Sequence, residues 1–197
     1  MADQAQALDD QLELLRRVFT PGPFLDRRLG RAFAFQALYE MDLAHHSPTQ
    51  VLERVAAAVA ENAASIEVAE SVYSAEVLAR AGEYAAELVR GVLAQRGPID
   101  AVIQERAPLW PLAQMSAVDR NVLRIGLYES LYGNATVPLR TAINEAVELA
   151  KLFGSETSAK FVNGVLGRAV EANASADAPQ PDSPTSLRTP GVAGAQD

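Results

Sequence analysis

INEAVELAKLFGSETSAKFVNGVL, residues 143–166, carries two helical patterns hinged on Gly154. Ile143, Ala146, Val147 and Ala150 recur at i, i+3, i+4 and i+7, an apolar stripe one helix face wide. Val162, Val165, Leu166 and Ala169 repeat that spacing. Gly154 suits a left-handed position just past the first helix, and Ser155 or Thr157 suits the cap of the second. Periodicity leaves Lys151, Phe153, Lys160, Phe161 and Asn163 unexplained: two cations, two rings and an amide around one helix junction. Single-stranded RNA is bound by such a set, because rings stack on bases, cations neutralise phosphates and an amide reads base edges. Gly164 inside the second helix costs about 1 kcal/mol relative to alanine. Core packing supplies no reason for it except a close approach of another helix.

Working outward, the same periodicity predicts core helices over about Leu29–Leu43, Pro48–Ala64, Ser74–Gln95, Ile99–Arg106, Ser116–Tyr132, Val137–Phe153 and Thr157–Val170. Pro48 after Ser47 is a start signal, and Gly97–Pro98 is read as the stop of the third helix. Ser116 three residues before Asp119 is a short capping box. No window alternates at period two, so the fold class is all-α, two small helical subdomains packed together. Residues 8–19 suit an amphipathic helix broken by Pro21, Gly22 and Pro23, making residues 1–26 an extension. Residues 27–170 form the domain. Residues 171–197 turn to Ala, Pro, Ser, Asp and Gly, with too few apolar side chains to offset ordering entropy, so this tail is expected to be disordered.

Composition excludes several classes of function. Cysteine is absent, which removes disulfides, thiolate metal sites and cysteine nucleophiles and fits a reducing cytoplasm. The two histidines, His45 and His46, are adjacent and point about 100° apart on a helix, a poor metal pair. No apolar run approaches the ~20 residues of a membrane span, and no glycine-rich phosphate loop or GxSxG elbow is present. Glu145 and Glu148 lack the histidines of a di-iron bundle and read as a solvated helix face. The expectation is a protein with no enzyme activity, no cofactor and no metal. The net charge of −8 is concentrated at the ends: residues 1–26 carry five acids and two arginines, and residues 171–197 four acids and one arginine. The remaining 16 acids and 14 bases leave the domain near neutral, with Arg27, Arg28 and Arg31 clustered free of intervening acids.

Three segments in order, RRLGRAFAFQALYE from Arg27, VDRNVLRIGLYE from Val118 and the INEAVELAK…KFVNGVL stretch, resemble the NusB family of bacterial transcription antitermination factors. The resemblance covers about residues 27–170. It implies binding to boxA-type leader RNA together with the ribosomal protein NusE, seeding an antitermination complex on RNA polymerase. It also implies that Arg27, Arg28, Arg31, Phe153, Lys160, Phe161 and Asn163 meet RNA, and that Tyr39 and Asp119 meet NusE. Thr157 departs from the acid that relatives often carry. A similar domain precedes bacterial ribosomal RNA cytosine methyltransferases, which need a cysteine nucleophile and a methyl-donor domain. Without cysteine, the free-standing factor is expected. The alternative is a helical protein adaptor, or a homodimer hiding its arginine face, with little RNA affinity of its own.

Overall fold

Serine hydroxyls start three of the helices. Ser47 Oγ accepts from the Gln50 amide at 3.4 Å while Gln50 Oε1 accepts from the Ser47 amide at 3.2 Å, a reciprocal capping box before Pro48. Ser74 Oγ accepts from Val77 N at 3.3 Å, and Ser116 Oγ from Asp119 N at 3.0 Å. The computed structural model describes residues 22–65, 74–133 and 137–176. Among these the chain forms seven α-helices and no strand. They are α1 (Leu25–Ala44), α2 (Pro48–Ser65), α3 (Ala75–Ala94), α4 (Arg96–Arg106), α5 (Ala117–Leu127), α6 (Leu139–Phe153) and α7 (Ser158–Ala176). A single π-helical turn, Tyr128–Tyr132, extends α5. The helix expected over residues 8–19 lies outside the described residues.

Helix α1 packs along α3, with α2 laid against α3, and α5, α6 and α7 form the second group. Helix α5 joins the two by packing on α1, and α4 spans from α3 to α5 and α7. One contiguous apolar core runs through both groups, from Leu29 and Leu88 to Leu123 and Leu166. Two glycines permit close helix crossings. A Cβ on Gly30 would lie 2.9 Å from the Ala81 carbonyl oxygen and from the Tyr84 ring, and one on Gly126 2.9 Å from Leu166 Cδ1.

Three expectations need correction. Gly97–Pro98 does not lie beyond a helix end: α3 stops at Ala94, and α4 has already begun at Arg96. Proline is tolerated there because the first four amides of a helix have no intrahelical acceptor. Gly154 is extended (φ −97°, ψ −173°), not left-handed. Its missing side chain serves space, since a Cβ would lie 2.6 Å from both the Ala150 oxygen and Ser158 Oγ. Helix α7 also continues six residues past Val170, to Ala176. That stretch is rich in alanine, and the first proline of the tail is Pro179.

Candidate nucleic-acid interface

The arginine cluster at the start of α1 divides by depth. Arg31 is 3% exposed, and its Nε donates to Glu129 Oε1 and Oε2 at 3.1 and 2.9 Å. The Tyr84 hydroxyl donates to the same carboxylate, and Glu145 lies 3.6 Å from Arg31 Nη1. Burial works to lower the Arg31 pKa, but the hydrogen-bonded Glu129 charge outweighs it and holds the guanidinium charged. Burial first, then the Glu129 charge, pushes the Tyr84 phenol above its ordinary value. Arg31 therefore faces inward, contrary to its expected place on an RNA face, because its guanidinium is sequestered by two carboxylates. Glu145 is likewise no solvated bystander: its Oε1 accepts from Arg28 Nε at 3.2 Å, and its side chain is 14% exposed.

Arg27 and Arg28 stay nearer the surface. The Arg27 guanidinium sits 4.1 Å from the Tyr84 ring centroid, a cation–π contact, and has no carboxylate partner among the described residues. Arg28 keeps a side-chain exposure of 43% despite Glu145. Phe153, at the end of α6, stacks on Phe35 of α1 with centroids 4.5 Å apart and remains half-buried. Arg28 and Phe153 thus lie along one α1–α6 seam, since Arg28 meets Glu145 and Phe35 meets Phe153 seven residues further on. Seven helical residues span roughly 10 Å.

The closing helix splits the remaining group. Lys160 and Asn163 are exposed and Phe161 is half-buried. At about 100° per residue, Phe161 and Asn163 stand on opposite flanks of α7, with Val162 pointing inward between them. Phe161 turns to the connector between α4 and α5, where its ring meets the edge of Trp110 at 6.0 Å. The two phenyl rings therefore face different neighbours, and the single cradle implied by their closeness in sequence is two ring pairs.

Tyr39 is half-buried, its ring 5.8 Å from Phe35. Asp119 is half-buried in the first turn of α5. A polar hub joins their surroundings: Asp42 Oδ2 accepts from Arg120 Nε at 3.0 Å, Arg124 Nη1 at 3.0 Å and Asn121 Nδ2 at 3.2 Å. Arg124 also forks onto Asp100 at 2.8 and 2.9 Å. Burial raises the Asp42 value, but Arg124 and Arg120 overcome it and hold the carboxyl below the usual carboxylate range. Asp42, Glu129 and Tyr84 escaped the sequence reading because each pairs with residues 45–98 positions away. The signal was the density of charged and amide side chains, Asp119, Arg120, Asn121, Arg124 and Glu129, within the apolar pattern of VDRNVLRIGLYE.

A model of the NusB family matches residues 28–171 of this chain. The chain belongs to the NusB family. A transcription antitermination protein NusB of Roseiflexus sp. (strain RS-1) is 43% identical over 146 residues, covering 73% of this chain and 91% of the relative. That of Dehalococcoides mccartyi (strain CBDB1) is 41% identical over 140 residues, 71% and 86% of the two chains. Among solved structures, T. maritima NusB superposes with a TM-score of 0.58 at 34% identity, over 74% of this chain and 90% of that one. The antitermination factor NusB solved with NusE and double-stranded RNA superposes with a TM-score of 0.59 at 26% identity, over 75% and 97%. Within this NusB-family fold, no described helix is long and apolar enough to cross a membrane. Among the described residues no group of three or more His, Cys, Asp or Glu has the geometry to hold a metal ion.

Proposed function

We propose that this chain acts as a non-enzymatic transcription antitermination factor in the cytoplasm. It binds boxA-type leader RNA together with NusE and seeds an antitermination complex on RNA polymerase during ribosomal RNA transcription. The observation that carries this reading is a set of surface cations near half-buried phenyl rings: Arg27 and Lys160 have no carboxylate partner among the described residues, and Arg28 stays partly exposed although paired with Glu145. Guanidinium and ammonium groups neutralise phosphates, Phe153 and Phe161 offer ring surface to unpaired bases, and Asn163 offers an amide to a base edge. Tyr39 and Asp119 are the proposed NusE contacts, where a half-buried carboxylate suits a basic ribosomal protein. The action is recruitment, with no bond made or broken. RNA and NusE each raise affinity for the other by a coupling that is equal in both directions.

A gel shift of a boxA-type RNA, with and without NusE, tests the reading. Binding that strengthens when NusE is added is expected. Binding in neither condition would replace it with the protein-adaptor reading.

A further inference from the structure

The α4–α5 connector raises a ring that neither the core nor the phenylalanine pair on α1 and α6 uses. Trp110 is 57% exposed and Leu109 before it 88%. The backbone under Trp110 is held, because its amide donates to the Ala107 oxygen at 3.0 Å and the Leu112 amide to Gln104 Oε1 at 3.1 Å. The indole is thus presented by a fixed turn. Its edge contact with Phe161 leaves most of the ring surface open.

Charge lies on the same side. Phe161 and Arg168 are seven residues apart on α7 and share a flank. Arg168 Nε and Nη2 both donate to the Arg106 carbonyl oxygen, at 3.2 and 2.8 Å, which fixes the guanidinium plane and leaves Nη1 without a hydrogen-bond partner among the described residues. Lys160, on the next outward position, forms no ion pair among the described residues and is exposed. Gly164 stands between them. A Cβ added there would meet only Arg168 Nη1, at 3.7 Å, and one on Gly167 would meet nothing within 4 Å. The close helix approach that would justify these glycines is absent, so their bare backbone faces outward beside two cations and two rings.

We infer that Trp110, Phe161 and Arg168 form a second stacking subsite for one unpaired nucleotide of the RNA, with its phosphate crossing the Gly164 strip between Arg168 and Lys160. The inference rests on the RNA-binding reading and adds to it a nucleotide position separate from the α1–α6 seam. A cationic rim favours a polyanion over an apolar protein segment, and a flat open indole suits a base of any sequence.

Trp110 is the single tryptophan of the chain, so intrinsic fluorescence reports this position alone. The full chain is titrated with a dye-labelled single-stranded boxA-type RNA, reading dye anisotropy for binding and tryptophan emission for stacking. Quenching that follows the anisotropy curve is expected. Trp110→Leu should lose roughly five-fold to a hundred-fold in affinity and Trp110→Phe much less, with thermal unfolding unchanged for both. A rise in anisotropy with unchanged emission, and full affinity in Trp110→Leu, overturns the subsite while sparing the RNA-binding reading. No anisotropy change, with or without NusE, removes both. Emission that responds to NusE alone and not to RNA assigns this face to the protein partner and overturns the subsite.

Discussion

Arg31 and Lys160 are both cations, yet Arg31 belongs to the core and Lys160 to the surface. Glu129→Ala leaves the buried Arg31 guanidinium only the longer 3.6 Å contact with Glu145, and loss of about 3 kcal/mol in urea unfolding is expected. Replacing Arg31 and Glu129 together by apolar residues should return most of that loss, since neither charge is then left unpaired. Lys160→Ala should leave stability unchanged and weaken RNA binding. It should also reduce the slope of log affinity against log salt by roughly 0.7, the share of one phosphate on a single strand. Tyr84 adds a pH dependence. Its folded value lies above the unfolded one, so its contribution to stability is complete below about pH 10 and declines as pH rises beyond. Tyr84→Phe should flatten that alkaline decline in urea midpoints measured across pH.

Glycine marks where helices touch and where they do not. On α5, Gly126 abuts Leu166 and Ala146, the latter at 3.1 Å from an added Cβ, so Gly126→Ala should destabilise by about 1–3 kcal/mol through overpacking. On α7, Gly167 has open space, and Gly167→Ala should stabilise by about 1 kcal/mol through helix propensity. Thermal unfolding of the two variants side by side checks the opposite signs. The π-helical turn after α5 has a similar role in placing side chains. Its i→i+5 bond, Gly133 N to Tyr128 O at 2.6 Å, shifts the register so that Glu129 turns to Arg31 while Tyr128 covers Gly91.

Asp42 binds the molecule as a whole. It gathers Arg120, Asn121 and Arg124 of α5 onto the end of α1, and Arg124 carries the link to Asp100 of α4. The Asp42 carboxyl is held below its unfolded value, so the hub contributes stability above about pH 4 and loses it as pH falls through the lowered folded value. Asp42→Asn should weaken the joint between the two helical groups at neutral pH and remove part of the acid-induced loss, read by urea midpoints between neutral and acid pH. The hub also holds the turn of α1 carrying Tyr39 against the turn of α5 carrying Asp119. A NusE affinity lowered in Asp42→Asn, with both proposed contact residues intact, is expected from titration calorimetry.

Helix type and order were legible from the chain because apolar stripes at 3.6-residue spacing and serine or proline starts are local properties. Ser47–Pro48 and Ser116–Asp119 carry their structure within four residues. The family was legible for the same reason, as three contiguous motifs. What resisted reading was the direction in which each polar side chain points. Arg27, Arg28 and Arg31 look alike in sequence, and only the distant Tyr84, Glu145 and Glu129 sort them into cation–π partner, surface pair and core ion. Phe153 and Phe161 look like one pair, and only Phe35 and Trp110 draw them apart. The chain alone determined the helices, their order and their kinship, since these depend on neighbours a few residues away. Tertiary structure decided which charges remain free for a partner, since pairing across tens of residues depends on how the helices cross.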